Sequence, residues 1–89
     1  MKHFNIKIYG QVQMVLFRHS AKEKAEELDI FGFVRNESDG TVYIEAEGEE
    51  GTLQQFVKWC KKGPVSARVQ KVDFKEGKLK YFKEFKIEY

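Results

Sequence analysis

The sequence is poor in the residues that form covalent cross-links and metal sites. It has one cysteine, Cys60, and two histidines among its 89 residues. A single cysteine excludes a disulfide within the chain and fits a reducing cytoplasm. His3 and His19 are far apart, and no cysteine or acidic residue stands at a familiar metal-ligand spacing from them. We therefore expect no metal, no cofactor and a cytoplasmic location.

Long apolar segments and a strong charge of one sign are also missing. No run approaches the roughly 20 apolar residues that a membrane-crossing helix needs. The opening "MKHFNIKIYG" alternates and carries charges, unlike a signal peptide. The 16 basic and 14 acidic residues are interleaved, for a net charge of +2. We expect neither a membrane nor a nucleic acid partner, although one local arginine can still bind a small anion.

What the sequence does contain is typical of one small globular domain spanning residues 1–89. It is 42% apolar and 34% charged, and eight Phe, four Tyr and one Trp supply large buried areas to a small core. We find no internal repeat, low-complexity tract or linker. Nothing demands oligomerisation, so we expect a monomer.

Hydrophobic periodicity divides the first half of the chain into a strand, a helix and a hairpin. "HFNIKIYG" alternates as a half-buried strand does. Helical spacing begins at Phe17 and continues through Ala21, Ala25 and Leu28. "FGFVRN" and "TVYIEAEGE" then flank "ESDG", whose residues favour a turn, so the two segments are predicted to form a β-hairpin.

The second half is predicted to add one helix and two strands. Thr52 and Gln55 match a capping box ahead of a helix whose apolar stripe includes Cys60, and "KKGP" is a typical helix end. "VQKVDF" and "FKEFKIEY" are predicted strands, and we expect the basic, aromatic stretch "KEGKLKYFKEFK" to be a strand with one wet face. Cys60 and Trp59 are interpreted as packing residues.

The predicted order is β-α-β-β-α-β with a short extra strand near the C-terminus. This order favours a ferredoxin-like α+β sandwich with two helices on one face of an antiparallel sheet. Because that fold serves many functions, function must be argued from a site.

The loop between the first strand and the first helix is the best candidate for that site. The first amides of a helix lack partners within the helix and, with the helix dipole, favour a bound anion such as phosphate. Arg18 adds a planar guanidinium that can hold two phosphate oxygens. On spacing alone a tight turn with a solvated arginine explains the same residues.

Two motifs in this region resemble the acylphosphatase family. One family motif is Gly-x-Val-Gln-Gly-Val-x-Phe-Arg, and residues 10–18 are "GQVQMVLFR". The other begins with Gly, an aromatic residue, Val, a basic residue and Asn. It is matched by "GFVRN" at residues 32–36 and by the glycines and valine that follow, which are Gly40, Val42 and Gly48. The "KIEY" ending at Tyr89 and the Trp59 and Gly63-Pro64 pattern are also similar to that family, so the resemblance covers nearly the whole chain.

The resemblance implies a metal-independent hydrolase of acyl phosphates that releases a carboxylate and inorganic phosphate. Arg18 would bind the phosphoryl group together with loop amides, and Asn36 would orient the attacking water. The loop amides are those of Met14, Val15, Leu16, Phe17 and Arg18. Inorganic phosphate is the expected product and competitive inhibitor. Without the resemblance, Asn36 could simply open the hairpin turn.

The chain departs from the family motif at Met14, where the motif has glycine. If that position requires positive φ, methionine brings strain of roughly 1–3 kcal/mol. We expect an active, slower enzyme. The alternative is a silent acylphosphatase-like domain that binds only phosphate or a partner.

An RNA-binding domain is the rival from another class, since it shares the α/β order. "FGFVRN" partly matches its aromatic strand motif, but Asp29 and Ile30 stand where a basic residue and a glycine belong. Lys7 also replaces a stacking aromatic on the first strand. We therefore favour the enzyme.

Overall fold

A computed structural model describes residues 1–13 and 16–89 of the chain. The elements, in chain order, are β1 (Lys2–Gln11), α1 (Phe17–Glu27), β2 (Phe31–Asn36), β3 (Val42–Gly48), α2 (Glu50–Lys62), β4 (Arg68–Gly77) and β5 (Phe85–Glu88). The predicted βαββαβ order with an extra short strand is confirmed.

The five strands form one sheet in the order β4-β1-β3-β2-β5. Neighbouring strands are antiparallel except at one edge, where β5 runs parallel to β2. The prediction of an antiparallel sheet therefore fails for that one pair. The chain reaches β5 after crossing from the opposite edge, and this crossover makes β5 parallel to β2.

Both helices cover the same face of the sheet, with α1 over β2 and β5 and α2 over β1, β3 and β4. Alternate strand residues point at them and are buried, including Phe4, Ile6 and Ile8 of β1. The helices contribute the residues predicted from their spacing, which are Phe17, Ala21, Ala25, Leu53, Phe56, Val57 and Cys60. Phe17 and Phe56 both pack on the half-buried Trp59 ring, at 5.5 and 6.0 Å between centroids.

Two local predictions are wrong. Thr52 does not cap α2, because the helix begins at Glu50 and the extended residue before it is Glu49, which makes no side-chain cap. Glu50 instead places a negative charge in the first turn, where the helix dipole favours it. Residues 78–84 also lie outside the strands, since β4 ends at Gly77.

The end of α2 matches its prediction, because Gly63 follows the last helical residue with a φ of 69°. Among the described residues, no helix combines the length and the apolarity needed to span a bilayer.

Candidate active site

Arg18 lies in the first turn of α1 beside a cavity of about 250 Å³. Gln13, Leu16, Phe17 and His19 also line this cavity. Phe17 is fully buried and anchors the helix start to the core, whereas Leu16 is 73% exposed at the mouth of the cavity. The core thus fixes the backbone from which Arg18 projects.

The N-terminus of α1 has backbone and charge features that favour a bound anion. Leu16 precedes the helix in the left-handed region, with φ 56° and ψ 23°, and its carbonyl accepts a hydrogen bond from the Ser20 amide at 3.0 Å. Within α1, all of whose residues are described, no side chain caps this end and the first turn carries no acidic residue. Unlike α2, whose first turn carries Glu50, α1 has no acidic side chain of its own to offset the positive end of its dipole.

The C-terminal edge strand holds the Arg18 guanidinium in place. One of its nitrogens donates to the Glu88 carbonyl at 3.1 Å, and the guanidinium carbon lies 4.6 Å from the centre of the Tyr89 ring. These contacts leave the other guanidinium N–H groups able to donate to a ligand. Among the described residues, Arg18 forms no ion pair with a carboxylate.

The acidic side chains around this end of the sheet pair with other cations. Arg35 binds Glu37 at 2.8 Å and lies 3.7 Å from the Glu88 carboxylate, and these carboxylates raise the Arg35 pKa. Lys7 binds Asp39 at 3.0 Å. Hydrogen bonds from Thr41, and after them the Lys7 ammonium, lower the Asp39 pKa to about 2. Neutralising these carboxylates reduces their repulsion of an incoming dianion.

Asn36 is the last residue of β2, at the same end of the sheet where β5 reaches Glu88. Its side-chain oxygen is buried and has no hydrogen-bond partner among the described residues. An unpaired buried carbonyl is costly in free energy, and such groups in folded proteins call for a specific explanation.

Gln13 connects the two parts of the site. Its side-chain nitrogen donates to the carbonyl of Glu37 at 2.7 Å and to that of Thr41 at 2.8 Å. Glu37 follows Asn36 directly, while Gln13 also lines the cavity beside Arg18. The loop before α1 is therefore attached to the hairpin that carries Asn36.

Met14 and Val15, two of the residues predicted to supply loop amides, lie outside the described residues. Leu16 lies directly before α1, and Phe17 and Arg18 are the first two residues of the helix. His19 is exposed, as expected of a solvated helix residue.

The remaining candidates are structural. Cys60 is fully buried, and burial raises the pKa of its thiol, which disfavours the reactive thiolate. His3 is also buried, with its Nδ1 at 2.7 Å from a Glu47 oxygen, and this pair was not predicted. Among the described residues, no three His, Cys, Asp or Glu side chains lie close enough to hold a metal ion.

Sequence reasoning missed the contacts that Arg18 makes with Glu88 and Tyr89. A strand was predicted over "FKEFKIEY", but the place of β5 beside β2 depends on a crossover that no local pattern encodes. The bridging role of Gln13 was missed as well, although its position inside the first motif was a signal.

Comparison with known proteins identifies the same family as the motifs. A family model described as Acylphosphatase matches residues 4–87. The acylphosphatase of Ligilactobacillus salivarius (strain UCC118) is 44% identical over 91 residues, with 100% of both chains covered. The crystal structure of acylphosphatase from Bacillus subtilis superposes with a TM-score of 0.97 at 36% identity over 100% of both chains. An acylphosphatase from Coxiella burnetii gives 0.95 at 33% identity, over 98% of this chain and 92% of its own.

Proposed function

The chain belongs to the acylphosphatase family, and we propose that it hydrolyses acyl phosphates in the cavity between Arg18 and the Asn36 end of β2. The enzyme is an acyl phosphate phosphohydrolase, and its reaction converts an acyl phosphate and water into a carboxylate and inorganic phosphate. The roles of individual residues are the proposal.

Arg18 and the first amides of α1 bind the phosphoryl group. Phosphoryl transfer depends mainly on positioning and on stabilising negative charge on the equatorial oxygens. A guanidinium held by the Glu88 carbonyl and the Tyr89 ring is oriented before the substrate arrives. Prearranged donors of this kind need not reorganise as charge develops.

Asn36 positions the attacking water through its unpaired side-chain oxygen. The water oxygen forms a bond to phosphorus while the bond from phosphorus to the carboxyl oxygen breaks. The carboxylate leaves with the electron pair of that bond, and a phosphate oxygen of the substrate accepts the proton of the water. Because a carboxylate is a stable leaving group, the reaction needs no strong general acid.

The buried side-chain oxygen of Asn36, which has no hydrogen-bond partner among residues 1–13 and 16–89, is the observation that carries this proposal. It lies one residue from the carbonyl that binds Gln13, and Gln13 lines the Arg18 cavity. A purely structural Asn36 would be expected to satisfy its own oxygen within the turn.

Hydrolysis of benzoyl phosphate by the intact protein in the presence of EDTA tests the proposal. We expect turnover in the wild type and a loss of about 100-fold or more in kcat for Asn36→Ala, since correct water placement is worth that much. Ser38→Ala, at an exposed position of the same turn, is the matched control and keeps wild-type turnover. Wild-type turnover in Asn36→Ala would contradict the assigned role.

We further propose that residues 1–89 act as one domain and as a monomer, with inorganic phosphate as a competitive inhibitor. The continuous core supports the first point, and the anion-binding end of α1 supports the last. A cytoplasmic location remains a prediction from the single cysteine.

The RNA-binding alternative has little support on the helix-free face of the sheet. The strand aromatics on this face include Phe33, Tyr43 and Tyr9. The Arg35 guanidinium lies over the Phe33 and Tyr43 rings at 5.4 and 5.0 Å. The Lys7 and Lys71 ammonium groups lie 5.7 and 5.1 Å from the centre of the Tyr9 ring. Phe82 also packs edge-on against Phe33 at 5.9 Å. These contacts occupy ring faces and edges that stacked bases would need, so these described rings do not favour base stacking.

A further inference from the structure

We propose that Gln13 is a positioning residue that sets the geometry of Asn36 for catalysis. The inference rests on the proposed function, because it assigns Gln13 a task only if Asn36 orients the water. Gln13 acts through the hairpin backbone and touches no reacting atom.

Gln13 bonds to both ends of the β2–β3 turn, at Glu37 and Thr41, and we call this pair of hydrogen bonds the clamp. Its side-chain nitrogen carries two hydrogens and lies 2.7 and 2.8 Å from the Glu37 and Thr41 carbonyls. These two residues also bond to each other, since the Glu37 amide donates to the Thr41 carbonyl at 2.8 Å. The Gly40 amide closes the turn by donating to the Glu37 carbonyl at 3.2 Å. Gln13 thus ties both ends of the turn to the loop before α1.

The direction of the Asn36 side chain depends on how neighbouring residues hold the turn. Its side-chain oxygen has no partner among the described residues, so no hydrogen bond to that atom fixes its direction. The backbone that carries the side chain therefore helps to set the direction of this oxygen, and Gln13 restrains that backbone at the carbonyl of Glu37, the residue that follows Asn36. Residues that hold the backbone or side chain of a catalytic group commonly decide whether that group is positioned closely enough to act.

The contact requires a side chain that can donate two hydrogen bonds. Two carbonyls of the turn accept from one nitrogen, so the side chain at position 13 must supply two N–H donors. Glutamate at neutral pH has acceptors only, and methionine has the length but no donor. Both Gln13→Met and Gln13→Glu therefore remove the clamp while retaining a side chain of similar size.

The first test compares Gln13→Met with Gln11→Met in the benzoyl phosphate assay. Gln11 lies two residues away and is exposed, which makes it a matched control. We expect kcat of Gln13→Met to fall about 10- to 100-fold, with little change in inhibition by inorganic phosphate, whose binding belongs to Arg18. An unchanged kcat, or an equal loss of phosphate inhibition, would overturn the proposal.

A double-mutant cycle separates this inference from the proposed function. If Gln13 acts through Asn36, the variant with both Gln13→Met and Asn36→Ala is no slower than Asn36→Ala alone. Losses that multiply would overturn the positioning role. Full activity in Asn36→Ala alone would instead contradict the proposed function.

Amide exchange provides a readout that does not depend on activity. In folded Gln13→Met or Gln13→Glu, we expect the Glu37 and Gly40 amides to exchange about tenfold faster than in the wild type, because local opening becomes easier. Gln11→Met should leave both rates unchanged. Wild-type exchange at both amides in the Gln13 variants would show that no clamp exists.

Discussion

Arg18 contacts Glu88, the last residue of β5, and Tyr89, which follows it, and these contacts orient its guanidinium. The Glu88 carbonyl fixes one nitrogen and the Tyr89 ring supports the guanidinium plane. Both contacts orient the side chain without neutralising its charge.

Removal of the Tyr89 ring should therefore weaken substrate binding. A cation–π contact at an exposed site is worth about 0.5–1 kcal/mol, so Tyr89→Ala is expected to raise KM about two- to fivefold. Tyr89→Phe keeps the ring and should retain the wild-type KM. Steady-state kinetics with benzoyl phosphate measures both, and a Tyr89→Phe enzyme as weak as Tyr89→Ala would contradict this account.

Met14 is a second residue at which a single substitution is expected to change kcat. The family motif has glycine at this position, and glycine tolerates positive φ and close approach of a ligand. We expect Met14→Gly to increase kcat. Equal rates for the two enzymes would mean that Met14 does not limit turnover.

At the scale of single elements, β2 positions Asn36 and depends on Gly32 for its approach to β3. Gly32 has a φ of 149°, and a Cβ added there would lie 1.8 Å from the Glu45 carbonyl oxygen. No side chain fits without separating the two strands.

Gly32→Ala should therefore lower the free energy of unfolding by about 3 kcal/mol or more, because the clash is with backbone. Gly51→Ala is the control, since it meets nothing within 4 Å in α2. There alanine should stabilise the protein by about 0.5–1 kcal/mol through helix propensity. Urea unfolding measures both, and equal effects of the two substitutions would refute the packing argument.

The elements were predictable from local pattern, and their pairing was not. Alternation identified β1 and β3, and helical spacing identified α1 from Phe17 onward. The parallel partnership of β5 with β2 depends on a long crossover, so the contacts of Arg18 with Glu88 and Tyr89 could not be read from sequence. The resemblance to a family identified Arg18 and Asn36, whereas the bond geometry of Gln13 required coordinates.

At the scale of the whole molecule, a buried carboxylate fastens the segment after β4 to the sheet. Glu47 is fully buried and accepts hydrogen bonds from the Lys80 and Phe82 amides. Burial by itself raises the Glu47 pKa, but these amides and the His3 ring outweigh it, so the pKa lies below its ordinary value. Sequence pattern could not reveal this, because Glu47 occupies an ordinary strand position.

The lowered pKa of Glu47 predicts a loss of stability in acid. A carboxyl group whose pKa is lower in the folded state stabilises the fold above its unfolded pKa, and that contribution disappears as the pH falls through the folded value. We expect the free energy of unfolding to decline below about pH 4.5, the ordinary glutamate value. Urea titrations at several pH values measure the decline.

Glu47→Gln should make the acid decline shallower and destabilise the protein at neutral pH by about 1–3 kcal/mol, because the amides of the segment lose a charged acceptor. Glu23→Gln changes an exposed glutamate of α1 and should leave the pH profile unchanged. Identical profiles for Glu47→Gln and the wild type would contradict the assignment.

Titration calorimetry with inorganic phosphate tests most directly whether Arg18 and Asn36 have separate roles in the site. Arg18 is assigned to the phosphoryl group and Asn36 to water, so Arg18→Ala should lose at least tenfold in phosphate affinity, as expected for a charge-assisted hydrogen bond. Asn36→Ala should bind phosphate as the wild type does while failing to turn over substrate. Lys75→Ala, an exposed cation on the opposite edge strand, corrects for general charge loss. Phosphate binding that survives in Arg18→Ala or is lost in Asn36→Ala would contradict the account.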